Sequence, residues 1–229
     1  MNGLLKEDEG MMSYLRDRGI TEESIDLFML GKFPDDVRDT LKFADSSVLA
    51  DKGILYSSYE GIKSQFTQNK LIFPIYDINS IPVAIAGRVL VSKEVQQEQG
   101  LPKYTNSVYK KTQTLFGLNL SKDYIREAGE ALVVEGYTDF ISAYQNDIRN
   151  IVAVTGTILS NGQMNLLARY TDKINLLYDN DKPGDKAVAR IREQHKNKKI
   201  NVRRLILNKY NDLDELIRSG EDIKKYITR

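Results

Sequence analysis

The sequence of 229 residues contains no cysteine and only one histidine. The absence of cysteine excludes disulfide bonds and thiolate zinc sites, and a single histidine excludes a metal site built from several imidazoles. No apolar stretch approaches the ~18 residues that a membrane-spanning helix needs. The first residues also lack the basic and apolar regions of a secretory signal peptide. We therefore expect a cytoplasmic protein and no zinc in this chain.

The composition favours a folded protein whose charge is unevenly distributed. Hydrophobic residues make up 41% and charged residues 28% of a chain long enough for one large or two small domains. Residues 1–60 carry seven basic and thirteen acidic side chains, and residues 182–229 carry fourteen basic and seven acidic ones. This distribution fits a polyanionic substrate, but ordinary variation in surface charge explains it equally well.

The second half of the chain alternates between strand and helix patterns. We expect strands at residues 131–135, 151–154, 174–178 and 201–207, and helices at 138–146, 161–170, 185–196 and 212–218. Such alternation is typical of an α/β fold with a mostly parallel sheet flanked by helices. Before it we expect a mixed α+β, basic N-terminal subdomain with a hairpin at 71–90 and a flexible loop at 92–100.

Acidic side chains follow two of these predicted strands. Glu135 ends one strand, Asp179 and Asp181 follow another, and Asp139 comes four residues after Glu135. The carboxyl ends of parallel strands meet at one edge of a sheet, where ligands bind. Converging carboxylates repel one another unless a hard cation such as Mg²⁺ lies between them. The pattern therefore points to metal-assisted phosphate chemistry.

Simpler explanations remain open for each acidic group. Asp139 can cap a helix, and Asp179 and Asp181 can shape a turn before a proline. Asp212 and Asp214 repeat the acid-x-acid spacing before the last helix, and on sequence alone we favour helix capping for them.

Basic and aromatic residues alternate upstream of the acidic strands. Arg88 ends a predicted strand, Lys103, Tyr104 and Asn106 belong to one short segment, and Lys111 follows it. Such a segment can hold a phosphate backbone and offer rings for base stacking, although many amphipathic loops have the same composition.

Taken in order, these motifs resemble the RNA-polymerase core of bacterial and phage DnaG-type primases over about residues 12–218. The similar segments are Tyr14–Gly19, Leu71–Asp77, Ala86–Val89, Pro102–Ser107, Phe116–Gly117, Glu135–Asp139 and Asp179–Gly184. The last two resemble the signatures of the TOPRIM domain, which nucleases and topoisomerases share. The basic segment upstream is what singles out primases.

The resemblance implies a DNA-directed RNA polymerase, a nucleotidyltransferase that makes short RNA primers on single-stranded DNA during replication. It implies Mg²⁺ or Mn²⁺ as cofactor and Glu135, Asp179 and Asp181 as catalytic metal ligands. Asp139 is a supporting acidic position. Asp212 and Asp214 match a further acidic pair at the edge of the site, for which the resemblance favours metal binding over helix capping. Template and nucleotide are expected at Arg88, Lys103, Tyr104, Asn106 and Lys111.

The same resemblance divides the chain into a template- and nucleotide-binding subdomain (1–121), a catalytic TOPRIM domain (122–210) and a short helical end (211–229). A cysteine-free chain cannot contain the family's zinc module, so we expect ribonucleoside triphosphates, DNA, a separate zinc-binding module and a replicative helicase as partners. An excised fragment of a longer primase, or a phage or mobile-element origin, would fit so short a core. The alternatives are a metal-dependent TOPRIM nuclease and a non-catalytic DNA-binding or helicase-associated subunit.

Overall fold

The chain folds into two compact units. The computed structural model describes residues 1–42, 44–67, 70–156, 158–178, 182–196, 200–207, 209–210 and 212–221. The first unit consists of Met1–Ile75 and Pro82–Tyr109, and the second of Tyr76–Ile81 and Lys110–Arg229. No helix among the described residues has the length and apolar character that a membrane span requires.

The first unit is a mixture of short helices and antiparallel strands. Its helices are α1 (Asn2–Lys6), α2 (Glu9–Asp17), α3 (Glu22–Leu27), α4 (Ser46–Asp51) and α5 (Lys93–Glu98), with a 3₁₀ helix at Val37–Lys42. Its strands are β1 (Gly31–Lys32), β2 (Leu55–Ser58), β3 (Gly61–Ser64), β4 (Leu71–Tyr76), β5 (Pro82–Arg88) and β6 (Tyr104–Asn106). One sheet has the order β1-β4-β5-β6, and β2 and β3 form a separate two-stranded sheet. The predicted α+β character of this region is confirmed.

The predicted turn between β4 and β5 is present. These two strands are neighbours in the sheet, and the amide of Asp77 donates to the carbonyl of Ile81 at 2.9 Å. The Asp77 side chain also accepts from the amides of Asn79 and Ile81. An Asp side chain that bonds to the backbone two residues ahead stabilises a turn at this point.

Side-chain caps fix the helices at the start of the chain. Asp8 accepts from the amide of Met11 at 2.9 Å, and Thr21 accepts from the amide of Ser24 at 3.2 Å. Each bond satisfies one of the backbone donors that a helix start leaves unpaired. Asp8 and Thr21 therefore cap α2 and α3.

The prediction of a flexible loop at residues 92–100 is wrong, because this segment contains α5. Ser92 caps the helix by accepting from the amide of Val95, and Gly100, with φ +61°, follows its end. No residue of α5 is buried. A helix without an apolar stripe gives no periodic signal, so only its two ends marked it in the sequence.

The second unit has the predicted parallel sheet. Its strands are β7 (Ala131–Val134), β8 (Ile151–Ala153), β9 (Lys173–Leu176) and β10 (Asn201–Arg204), in the order β10-β9-β7-β8. Its helices are α6 (Leu118–Ala128), α7 (Tyr137–Gln145), α8 (Asn161–Leu167), α9 (Lys182–His195) and α10 (Leu213–Arg218), with a 3₁₀ helix at Lys111–Gln113. All three strand pairings within this sheet are parallel.

Helices cover the parallel sheet on one face through a single apolar cluster. The cluster joins α6, α8 and α9 to alternate residues of the strands, among them Val133, Val152 and Ile174, each 0% exposed. α7 packs against β8 and α10. Every residue of β7 is buried, as expected for a central parallel strand covered on both faces.

The entry into this unit depends on Gly117. Phe116 pairs with Ala153 in an isolated antiparallel bridge, and its ring meets that of Phe140 edge-on at 5.2 Å. Gly117 follows with φ +80° as the N-cap of α6. A Cβ there would lie 2.0 Å from the Phe140 ring. Gly117 is therefore required both for its backbone conformation and for the space that the ring occupies.

Candidate functional site

The strand ends of the second unit bring Glu135 to the carboxyl edge of the sheet. Val133 and Leu176 are register partners in the parallel pair of β7 and β9, and the Leu177 amide donates to the Val133 carbonyl at 2.8 Å. The amide of Thr155, just after β8, donates to the carbonyl of Glu135 at 3.0 Å. The backbone of Glu135 is thus held at the point where β7, β8 and β9 end together.

Glu135 also interacts with the side chain of Tyr178. Burial raises the pKa of the Tyr178 hydroxyl above its usual range, and the negative charge of Glu135 raises it further. The register of β7 and β9, continued by two residues, likewise places Glu135 beside Tyr178, which directly precedes Asp179. Half-buried carboxylate oxygens at such an edge are suitable ligands for Mg²⁺ or Mn²⁺.

Two of the predicted metal ligands, Asp179 and Asp181, lie outside the described residues. Within the part of the chain that is described, no three acidic or histidine side chains are close enough together to hold a metal ion. The metal site at Glu135, Asp179 and Asp181 therefore stays a prediction.

Asp139 caps α7. Its Oδ2 accepts from the amide of Gly136 at 3.2 Å, and a Cβ on Gly136 would lie 2.6 Å from that oxygen. The glycine thus allows the carboxylate to fold back over the helix start. This arrangement is the capping alternative that the sequence left open, and a metal contact by Asp139 stays a prediction.

Asp212 and Asp214 have separate tasks at α10. Asp212 Oδ1 accepts from the amide of Glu215 at 2.7 Å and caps the helix. Asp214 is only 1% exposed; it accepts from the hydroxyl of Ser142 on α7 at 2.7 Å and from Arg218 Nε at 3.2 Å. Asp214 therefore joins α10 to α7. A metal contact by either carboxylate remains a prediction.

Two substitutions of Asp212 separate capping from metal binding. Asn caps helices as well as Asp does, so we expect Asp212→Asn to retain the melting temperature. Asp212→Ala should cost about 1 kcal/mol, which lowers the melting temperature by roughly 2–4 °C for a chain of this size. If Asp212 also binds the metal, both variants should weaken Mn²⁺ binding in calorimetry. Equal melting temperatures for the two variants would contradict the capping assignment.

Lys111 lies beside the loop that follows β8. Its Cε and Nζ would be 3.3 and 3.6 Å from a Cβ on Gly156, and burial lowers the pKa of its ammonium group. The carbonyl of Lys111 accepts from the side chain of Gln163 at 3.2 Å, which anchors this segment to α8. Thr155 has φ +52°, so the loop turns sharply next to a half-buried cation.

The predicted template residues of the first unit are arranged around Arg88. Arg88 and Tyr104 are partners across β5 and β6, and Arg88 Nη1 donates to the Tyr104 hydroxyl at 2.6 Å. The guanidinium carbon lies 5.3 Å from the ring centres of both Tyr14 and Tyr104. Arg88 is 8% exposed. Its cation–π contacts therefore orient β6, in addition to any direct contact with a ligand.

Lys103 is the exposed residue of this predicted set, and Tyr104 and Asn106 are half-buried. The carbonyl of Lys103 accepts from the amide of Val89 at 3.2 Å, so its backbone is part of the sheet while its side chain reaches solvent. Sequence reasoning missed Tyr14 as a partner of Arg88. A helix residue and a strand residue far apart in the chain give no local signal of such a contact.

Two family models match the chain. The model of the DNA primase catalytic core, N-terminal domain, matches residues 2–122, and a Toprim-like model matches residues 132–217. A DNA primase from Aquifex aeolicus is 37% identical over 193 residues, which cover 81% of this chain and 37% of the relative. The chain spans about a third of the length of this and the next curated relatives, at 30% and 32%.

Solved structures agree with these matches. The crystal structure of the zinc-binding and RNA polymerase domains of the Aquifex aeolicus primase has a TM-score of 0.83 and 32% identity, covering 94% of this chain and 54% of that one. A DnaG primase catalytic domain bound to single-stranded DNA has a TM-score of 0.78 and 28% identity, covering 93% and 71%. Both similarities extend over both units of the present fold.

Proposed function

We propose that this chain, which belongs to the family of DnaG-type DNA primases, is a catalytic core that makes short RNA primers on single-stranded DNA during replication. The observation that carries the proposal is the parallel pairing of β7 with β9. It holds Glu135 at the edge of the sheet, next to the residue that precedes Asp179 and Asp181. The similarity of the first unit to primase cores favours primer synthesis over the nuclease alternative.

The proposed reaction is nucleotidyl transfer. The 3′-hydroxyl of the growing primer attacks the α-phosphate of a ribonucleoside triphosphate, a phosphodiester bond forms, and the bond to the β-phosphate breaks to release pyrophosphate. Mg²⁺ or Mn²⁺ held by Glu135, Asp179 and Asp181 would neutralise charge on the phosphates and lower the pKa of the attacking hydroxyl. The carboxylates of Asp139, Asp212 and Asp214 would support that site.

The basic residues have positioning roles in this proposal. Asn106 on β6 and Lys103 just before it would contact the template or the nucleotide. Tyr104 is held in place by Arg88. Lys111 would contact the triphosphate, because its ammonium lies at the loop after β8, and an ammonium in a partly dehydrated position attracts phosphate strongly. Residues 1–121 would thus bind substrates, residues 122–210 would carry out the chemistry, and residues 211–229 would form a helical end.

Two partners follow from the same proposal. The Aquifex aeolicus structure contains a zinc-binding domain together with the RNA polymerase domain. The present sequence has no cysteine for such a domain, so the zinc-binding module would be supplied by another segment or another polypeptide. A replicative helicase would recruit the core to single-stranded DNA.

Primer synthesis can be measured directly. The chain is incubated with four ribonucleoside triphosphates, one of them labelled, a mixed-sequence single-stranded DNA and Mn²⁺, with and without a zinc-binding module from a related primase. We expect labelled RNA of a few nucleotides that depends on both template and metal. Degradation of the DNA without added nucleotides would instead support the nuclease. Absence of RNA under both conditions would overturn the proposal.

A further inference from the structure

The hairpin of β2 and β3 exposes large apolar side chains. Tyr59, at its tip, is 97% exposed, and Tyr56 and Ile62 on the two strands are 51% and 47% exposed. Single exposed hydrophobic residues are common on protein surfaces. Tyr56 lies on one face of the hairpin and Ile62, the partner of Ser57, on the other, with Tyr59 at the turn between the strands.

The base of this hairpin is joined to the end of β6. The side-chain amide of Gln65, which directly follows β3, donates to the carbonyl of Asn106 at 3.4 Å. The amide of Val108 donates to the carbonyl of Lys52, just before β2, at 2.8 Å. The surface that includes Asn106 therefore continues onto the hairpin within the first unit.

One face of the hairpin combines a ring with a cation. Tyr56 and Lys63 are partners across β2 and β3, and side chains of cross-strand partners lie on the same face. Lys63 forms an ion pair with Glu60, and both side chains are exposed. Exposed ion pairs contribute little to stability, so Lys63 can exchange this carboxylate for a phosphate at small cost.

We propose that Tyr56, Tyr59 and Lys63 form an extension of the template-binding surface, here called the hairpin platform, which binds single-stranded DNA next to Asn106. The two rings stack on unpaired bases, and Lys63 contacts the backbone phosphate between them. Stacking on tyrosine suits a template of mixed sequence, because every base offers a flat face. The inference rests on the proposed function, since it extends the surface that the primer-synthesis proposal assigns to the template.

Binding of a fluorescent mixed-sequence single-stranded DNA to the full chain, followed by anisotropy, tests the platform. We expect the double variant Tyr56→Ala/Tyr59→Ala to bind at least about thirtyfold more weakly than the wild type, which is the low end of the contribution of two base–aromatic stacks. The variant Tyr56→Phe/Tyr59→Phe keeps both rings and should bind like the wild type. Tyr124→Ala, which removes another tyrosine that is 37% exposed, is the matched control and should have no effect.

Two further measurements separate stacking from charge. An abasic oligonucleotide offers phosphates but no bases, so the wild type and the alanine double variant should bind it equally. Lys63→Met should reduce the slope of log affinity against log salt by about 0.7, as expected for one lost phosphate contact on a single strand. The tyrosine substitutions should leave that slope unchanged. Thermal unfolding of each variant shows whether the fold is retained.

The outcomes distinguish this inference from the proposed function. If the alanine double variant binds normal DNA as the wild type does, or loses affinity equally for abasic DNA, the platform is wrong, whatever the chain synthesises. The same holds if the wild type binds no single-stranded DNA. If the double variant shows the predicted loss of affinity for DNA while the wild type makes no primers, the hairpin platform is supported and the proposed primer synthesis is wrong. If the wild type makes primers, the alanine double variant should make less RNA than the wild type at low DNA concentration and the same amount at saturating DNA.

Discussion

Gly117→Ala should destabilise the second unit by about 3–5 kcal/mol. Two costs add up to this value: the methyl group overpacks the core, and a residue with a Cβ must adopt a left-handed backbone. The added methyl group would lie 2.0 Å from Phe140, whose ring is 0% exposed and packs against Phe116 and Tyr144. Because the ring is fully buried, it cannot move aside without displacing these neighbours. Since a whole domain is stable by only about 5–15 kcal/mol, this one methyl group removes much of the margin.

The matched control is Gly129→Ala at the other end of α6. Gly129 also has a left-handed backbone, with φ +67°, but a Cβ there would meet nothing within 4 Å. This variant isolates the backbone strain, for which we expect about 1 kcal/mol. In thermal unfolding, Gly117→Ala should lower the midpoint by roughly 10 °C and Gly129→Ala by roughly 2–4 °C. Equal midpoints would show that Phe140 adapts and that the packing argument fails.

The parallel sheet could be predicted because its strands are buried on both faces. Ala131–Val134 and Ile151–Ala153 are short apolar runs without a polar residue, and the helices between them have clear apolar stripes. The ends of the strands could be predicted less well. The strand expected at residues 201–207 ends at Arg204, although the amide of Leu205 still donates to the carbonyl of Leu176 at 2.9 Å. Of the apolar residues that follow, Leu205 and Leu207 are buried and Ile206 is 53% exposed.

The candidate site could be predicted only in part, because one residue type serves several purposes. Asp212 caps α10 and Asp139 caps α7, and nothing in the sequence separates a capping aspartate from a metal ligand. The Tyr14–Arg88–Tyr104 contact is invisible for another reason. It depends on the packing of α2 against β5 and β6, which a local pattern does not encode.

Glu135→Gln is expected to abolish primer synthesis while leaving the fold intact. Glutamine has nearly the same size as glutamate but lacks the negative charge that holds a hard cation. Loss of charge stabilisation of about 4 kcal/mol in the transition state corresponds to a rate about a thousandfold lower. Stability should be unchanged, because the Tyr178 hydroxyl, whose pKa is raised by burial and by Glu135, is neutral at pH 7 in both forms.

Three measurements on Glu135→Gln make this prediction specific. Ribonucleotide incorporation should disappear, Mn²⁺ should bind more weakly in calorimetry, and single-stranded DNA should bind as in the wild type, because the template residues lie in the first unit. Glu127→Gln on the exposed side of α6 removes a charge without touching the sheet edge and should behave like the wild type. RNA synthesis that survives Glu135→Gln would mean that the chemistry takes place elsewhere. Weaker DNA binding with normal synthesis would mean that Glu135 belongs to the template surface and not to the metal site.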